Sequence, residues 1–338
     1  LQGQTLTLIM DIGMHGAEGD KCHGMLSRLV GCCCLQPAGT QIKHSTLQRA
    51  PLFDQIRAQL GSAVGGLVLL NPSNACYATA VTRVLAWLGT CLGEVAVNAP
   101  SEPWATLRRA GASGLTLARC PAFAPFLAHW VEPTLQTQQD AAEFLGHLAQ
   151  RLQWGSFEGS WGAFYSTEGV WRAQDAGCFS TPLLLPMQDL PVCSMQEVLD
   201  QWIRHAYPRC IDAPPALLPL LLGRFVHEAG VARKLHTAIR DLDRPLRLHC
   251  TPDSVESCTY QAHAIVLHAG RTPHSGHYRA LVRSPAGWLL CDDGQPATPS
   301  YLSHALQCEA YLILCTRLSQ VDRAELRLKR GRPQPRQE

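Results

Sequence analysis

Gly66-Leu67-Val68-Leu69-Leu70-Asn71-Pro72-Ser73-Asn74-Ala75-Cys76-Tyr77 passes from an apolar run through small and polar residues to a cysteine, and a helical pattern begins there. Val81, Val84, Leu85 and Leu88 follow the i, i+3, i+4, i+7 spacing of one helix face, so the pattern predicts a helix from Cys76, with Ser73 and Asn74 available as caps. Cys76 then stands at a helix N-terminus, where the first-turn amides and the helix dipole favour an anion. A single cysteine ahead of an apolar helix is ordinarily a small buried hydrophobe, so a chemical reading of Cys76 depends on its partners.

Those partners lie two hundred residues downstream, where Ser275-Gly276-His277-Tyr278 leads into Trp288-Leu289-Leu290-Cys291-Asp292-Asp293. A thiol becomes a strong nucleophile near neutral pH when an imidazole takes its proton and a third group holds that imidazole in the right tautomer. The stretches 261–268, 277–283, 288–291 and 310–316 are short, apolar and separated by Gly, Pro or Ser, which predicts an antiparallel sheet. Ser284-Pro285-Ala286-Gly287 reads as the turn of a hairpin. It sets His277 at the start of one strand and Asp292 at the end of the next, so neighbouring strands bring the two ends together. Asp292 and Asp293, being adjacent, are expected on opposite strand faces, with Asp292 orienting the imidazole and Asp293 an auxiliary polar group. Trp288 is read as a core aromatic.

The rest of the chain supplies a mixed background. Thr137-Gln138-Gln139-Asp140 resembles a capping box, which predicts a second helix from about Thr137 with Ala141, Phe144, Leu145, Leu148 and Leu152 on its buried face. The Trp- and Gly-rich stretch from Gly155 reads as loops and short strands, and a further helix is predicted from Met195 to His205. Ala216 to Phe225 is too short to span a membrane and reads as a buried strand. Residues 1–60 show no sustained period and are taken as an irregular extension, whereas 319–338 carry Arg323, Arg327, Lys329, Arg330, Arg332 and Arg336 and read as a basic, disordered tail. The chain begins at Leu1 rather than Met, as a piece of a longer protein does.

Composition narrows the class. Of 338 residues 46% are hydrophobic, enough for a sizeable core, and 29 basic against 27 acidic side chains exclude a strong overall field for nucleic acid or an anionic membrane. Nucleic-acid contact is expected only weakly, through the basic tail. Fifteen cysteines, an odd number in no small-domain framework, read as reduced thiols inside the cell, in the cytoplasm, the nucleus or both. No run of about 18 apolar residues is present, so no membrane contact is expected.

These segments together, in this order, resemble the ubiquitin-specific proteases, papain-like cysteine hydrolases built as fingers, palm and thumb. Asn71 to Tyr77 behind Gly66-Leu67 is similar to that family's Gly-Leu-x-Asn-x-Gly-Asn-Thr-Cys-Tyr box, and Gln138-Gln139-Asp140-Ala141-Ala142-Glu143-Phe144-Leu145 resembles its Gln-Gln-Asp-x-x-Glu-Phe-Leu box. Leu217 to Phe225 and Tyr260 to Tyr278 resemble two further family segments, the second ending in Gly-His-Tyr, the context that distinguishes His277 from His263, His268 and His274. The resemblance implies an α+β fold over residues 61–318, with a helical thumb and an antiparallel-sheet palm. It implies Cys76, His277 and Asp292 as the catalytic set, and Asn71 as oxyanion donor. Asp140, Gly276 and Tyr278 are the substrate-binding residues it implies, although Asp140 also fits as an acid in the first turn of its helix. The implied activity is thiol-dependent hydrolysis after the ubiquitin C-terminal glycine, with ubiquitin or a ubiquitin-like modifier as partner. The alternative is an inactive relative that only binds such a protein.

The sequence departs from the family at marked points. Ser73 and Ala75 replace Gly and Thr, and Thr79 and Arg83 replace the usual Asn and Gln after the cysteine. Cys178, Cys193 and Cys210 stand singly and no Cys-x-x-Cys occurs, so no structural zinc of the family's kind is expected, no other metal or cofactor is expected, and the finger is expected to be short.

Overall fold

The computed structural model describes residues 68–92, 116–152, 157–168, 170–179, 181–204, 207–228, 231–250 and 257–318. The expected extension 1–60 and basic tail 319–338 lie outside them. Helix α1 is Cys76–Leu92. The periodicity predicts one buried face, and Val81, Val84, Leu85 and Leu88 are indeed fully covered, yet every residue from Cys76 to Leu88 is buried. The helix is inserted between a sheet and a second helix, α2 at Ala141–Leu152. Ala78, Ala80 and Ala86 let both neighbours approach closely. Ser73 and Asn74 do not cap it: the Ser73 hydroxyl donates to Leu135 O at 2.8 Å and the Asn74 amide to Gln136 O at 3.0 Å. Asn71 serves the helix start instead, its Oδ1 accepting from the Ala75 N–H at 2.9 Å.

Helix α2 begins four residues later than the Thr137 box predicts. Asp140 is its cap, with Oδ1 accepting from the N–H of Ala142 at 2.5 Å and of Glu143 at 3.3 Å. Thr137 turns away and donates to Glu132 Oε2 at 2.6 Å. Ala141, Phe144, Leu145 and Leu148 form the buried face as predicted, while the Leu152 side chain lies outside the description. Tyr77 of α1 and Phe144 of α2 meet edge to face at 5.5 Å, and Trp130 packs on both and donates its indole N–H to the Tyr77 hydroxyl at 3.0 Å.

Among the described residues the strands are β1 Ser160–Thr167, β2 Val170–Cys178, β3 Leu183–Pro186, β4 Val192–Ser194, β5 Arg209–Ala213, β6 Leu217–Gly223, β7 Phe225–Glu228, β8 Val231–Lys234, β9 Ala238–Arg240, β10 Leu246–His249, β11 Ser257–Thr272, β12 Ser275–Ser284, β13 Gly287–Cys291, β14 Thr298–Ser300 and β15 Ala310–Arg317. The large sheet runs β14-β13-β12-β11-β15-β6-β3, with β10 also on β11. It is antiparallel except where β3 joins β6 in parallel. Both faces are covered, which explains why its strands read as continuous apolar runs. Along β15, Leu312 and Leu314 join the core shared with α1 and α2, whereas Ile313 and Cys315 join the opposite core, the alternation of a pleated strand. In β12, Ala280 and Val282 face the first core and Leu281 the second.

The second core is closed by α3, Met195–Ile203, two residues shorter than predicted. Ser194 and Glu197 cap it reciprocally, and Met195, Val198, Leu199 and Trp202 are buried. Trp288 packs in the same core, as the sequence predicts. Helix α4 is His304–Glu309. A smaller sheet, β2-β1-β5, forms where the sequence reading expects loops and short strands. At its base the Arg209 guanidinium lies 5.3 Å from the Trp161 ring and 5.4 Å from that of Trp202. Cys178 on β2 is exposed, while Cys193 on β4 and Cys210 on β5 are buried. Among the described residues no helix is long and apolar enough to cross a membrane.

Candidate active site

The hairpin β11–β12 brings the histidine to α1. Near its tip the strands come so close that side chains are excluded: a Cβ on Gly276 would sit 2.3 Å from Ala269 O, and one on Gly270 2.1 Å from Ser275 O. Gly276 also has φ +131°, so glycine is required twice over, by conformation and by space. His277 follows, paired with Ala269 of β11, and α1 packs against this part of β12. The turn Ser284–Gly287 forms as predicted and returns the chain as β13. Beyond the end of β13, Asp292 Oδ1 meets His277 Nε2 at 2.6 Å. A carboxylate can only accept, so Nε2 carries the hydrogen and Nδ1 is the nitrogen left for the thiol. The Cys76 sulfur beside the ring is the chief reason the imidazole pKa is raised from its ordinary 6.5 to about 9. Asp292 and Asp293 add to the effect and partial burial opposes it.

The two aspartates do not separate onto opposite faces as the sequence reading expects. The strand ends at Cys291, and Asp293 takes a left-handed φ of 36°, which swings its carboxylate back to the site. Its Oδ2 lies 3.9 Å from His277 Nδ1. The same carboxylate accepts from the Asn71 amide at 3.0 Å and from the Thr79 hydroxyl at 3.1 Å, and its backbone carbonyl accepts from Arg83. Asn71 is thereby fixed at both ends, its oxygen on Ala75 N–H and one amide hydrogen on Asp293; a primary amide has a second hydrogen to offer.

The residues expected to bind substrate fare differently. Gly276 is exposed beside His277. Tyr278 is fully buried, its hydroxyl donating to Pro273 O at 2.8 Å and its ring against that of His268 at 4.4 Å, so it shapes the hairpin from inside and offers no surface to a ligand. Asp140 is likewise internal. Besides capping α2 it accepts from the Tyr311 hydroxyl at 2.5 Å, so both carboxylate oxygens are committed within the protein, and burial raises its pKa. Glu143, one turn on, lines instead an open depression of about 440 Å³ together with Gly146, His147, Gln150 and Thr181. Sequence reasoning noted Thr79 and Arg83 only as departures and missed their contacts with Asp293. The signal was present: Cys76, Thr79 and Arg83 are spaced i, i+3, i+7 and share one helix face.

An α+β fold in which a helix presents a cysteine to a strand-borne histidine backed by an aspartate is that of the papain-like cysteine peptidases. The family model described as ubiquitin carboxyl-terminal hydrolase matches residues 121–313, more than half of the chain. The chain belongs to that family. The matched span includes Asp140, His277, Asp292 and Asp293 and starts after Cys76. Relatives include ubiquitin carboxyl-terminal hydrolase 4 of Arabidopsis thaliana, 34% identical over 104 residues, which are 30% of this chain and 26% of that protein. Ubiquitin carboxyl-terminal hydrolase 46 of Caenorhabditis elegans is 38% identical over 86 residues, 25% and 20% of the two chains. The matched region thus spans only about a quarter or less of these relatives. In fold, the chain is similar to the SAGA Ubp8/Sgf11/Sus1/Sgf73 module bound to ubiquitin aldehyde, with a TM-score of 0.58 at 17% identity over 80% of this chain and 74% of that one.

Proposed function

We propose that this protein is a thiol-dependent hydrolase of the peptide or isopeptide bond that follows the C-terminal glycine of ubiquitin. The observation that carries the reading is His277, bonded at Nε2 to the Asp292 carboxylate, on a strand packed against the helix that begins at Cys76. With the Cys76 proton resident on His277 as imidazolium, the thiolate attacks the glycine carbonyl. Negative charge on the carbonyl oxygen is met by backbone N–H at the α1 N-terminus and by the remaining amide hydrogen of Asn71. The imidazolium then protonates the leaving lysine amine, and water activated by the neutral imidazole releases the acyl group. Exposed Gly276 beside His277 leaves room for a tail that ends in two glycines. Support for ubiquitin as the partner comes from a fold neighbour described as bound to ubiquitin aldehyde.

The test is reaction with ubiquitin carrying a C-terminal thiol-reactive warhead. A single covalent adduct at Cys76 is expected, and a folded protein that forms none overturns the reading. The same reagent built on ubiquitin-like modifiers separates the two substrate classes.

The imidazolium also sets a pH limit. Because its folded pKa is raised from 6.5 to about 9, the stability contributed by the protonated pair is fully present below about 6.5 and is lost as pH rises through about 9. Turnover of a ubiquitin amide is expected to decline along an alkaline limb centred near pH 9, as the acid that serves the leaving amine disappears; a profile of kcat against pH checks this.

A further inference from the structure

Arg83 is an unusual residue to find inside a protein. It is 3% exposed, on a helix with no other charged residue, and among the described residues no carboxylate is bonded to its guanidinium. Nη2 donates to the backbone carbonyls of Asp293 and, at 3.4 Å, of Gln295. Among the described residues Nε and Nη1 reach no hydrogen-bond partner, and the guanidinium charge is near enough to the Cys291 thiol at the end of β13 to oppose the rise that burial gives its pKa. Burying a charged group with unmet donors is costly, and such groups call for a specific explanation. Here the explanation is the turn that the guanidinium reaches. Asp293 departs from extended backbone there, and three side chains hold it: Asn71 on Oδ2, Thr79 on Oδ1 and Arg83 on the carbonyl. Asp292, the preceding residue, has its carboxylate on His277. The one hydroxyl hydrogen of Thr79 is shared between Asp293 Oδ1 at 3.1 Å and Cys76 O at 3.0 Å, so one face of α1 lies between the nucleophile and the acid turn.

We propose that Arg83, acting with Thr79, is a positioning residue that fixes the Asp292–Gln295 turn and thereby sets the acid–imidazole pair against Cys76. This inference rests on the hydrolase reading above. In this chain the pair stands at the two positions where the resembling family has Asn and Gln. Around the Cys76–His277 pair the ionisable groups are Asp292 and Asp293 after β13, His268 on β11, and Tyr77 and Tyr278 on α1 and β12. Burial and Lys234 hold His268 down to about 4, so it stays neutral across the working range. Loosening the turn therefore acts mainly through Asp292: a weaker bond to Nε2 destabilises the imidazolium, and the thiolate–imidazolium pair forms only at higher pH.

The test uses the full chain and two readouts. The first is the pH dependence of Cys76 alkylation by iodoacetamide, followed on the Cys76 peptide by mass spectrometry, which needs no ubiquitin. The second is hydrolysis of ubiquitin bearing a C-terminal fluorogenic amide. Arg83→Leu is expected to move half-maximal alkylation up by about one pH unit and to lower kcat about tenfold or more, with KM changed less than threefold. Arg83→Lys, which keeps a donor, is expected to recover part of both. Thr79→Val is expected to shift the alkylation profile in the same direction. Profiles and kcat unchanged in folded Arg83→Leu protein overturn the proposal. If Arg83→Leu does not fold, Arg83→Lys and Thr79→Val decide it by the same criterion. A wild type that shows the alkylation profile but cleaves no ubiquitin amide refutes the hydrolase reading and leaves the positioning test standing.

Discussion

Cys76→Ala is expected to abolish hydrolysis of ubiquitin conjugates, with kcat/KM at least about 10⁴-fold lower, while the protein still folds and still binds ubiquitin. The size follows from how a nucleophile and its base act as a unit: removing either costs about as much as removing all of the set, commonly around 10⁶ in kcat. Folding should survive for a local reason. Cys76 opens α1, alanine is the best helix former, and the loss is one sulfur atom at a position directly preceded by Ala75. The control is Cys308→Ala. Cys308 Sγ lies 3.8 Å from His304 Nδ1 one helical turn away, a thiol–imidazole pair that a reagent for activated thiols could also find. Warhead labelling is expected to vanish in Cys76→Ala and to be undiminished in Cys308→Ala. Turnover by Cys76→Ala above about a tenth of wild type would contradict the assignment.

Arg224→Leu is expected to have the largest effect on stability. Arg224 is fully buried between β6 and β7 and donates to four backbone carbonyls: Ala310 from Nε, Leu235 at 3.0 Å and Thr237 at 2.8 Å from Nη1, and Gln307 at 2.9 Å from Nη2. It thus joins the segment after β8 to the junction of α4 and β15. Burial brings its pKa down to about 10, so the group is still charged at neutral pH. Leucine fills much of the space but leaves four buried acceptors without donors, each at about 1–3 kcal/mol. A total loss on the order of 4 kcal/mol or more is a large part of the 5–15 kcal/mol that holds a typical domain together. The expected outcome is a melting temperature lower by about 10 °C or more, or recovery only in the insoluble fraction. Arg224→Lys should rescue little, because one ammonium cannot reach acceptors spread over this fan. A melt within about 3 °C of wild type would show that the carbonyls find other partners.

Much of the framework was legible in the residues. The period of α1, the strands β11, β12, β13 and β15, and the turn at Ser284–Gly287 all follow from local rules, since periodicity and turn chemistry act over a few residues. Helix starts were read less well. Ser73, Asn74 and Thr137 look like caps but spend their side chains on Leu135, Gln136 and Glu132, because partners brought in by folding compete with the local backbone. Tyr278 and Asp140 were read as substrate contacts and lie inside, since burial is a property of the packed molecule and not of a motif. The pleat rule failed at Asp292–Asp293 because it holds only while the strand continues, and the chain leaves the strand at Cys291.

The sequence by itself determined which groups take part in the chemistry and roughly where each sits on its element: Cys76 at a helix start, His277 and Asp292 at facing strand ends. These follow from the short-range stereochemistry of helix and hairpin. The tertiary structure alone decided how they are held. It brought the left-handed turn at Asp293 under Asn71, Thr79 and Arg83, and it turned Asp140 inward onto Tyr311. Those bonds join residues 171 to 222 positions apart, and no local rule reaches that far; the packing of α1 against the sheet creates them.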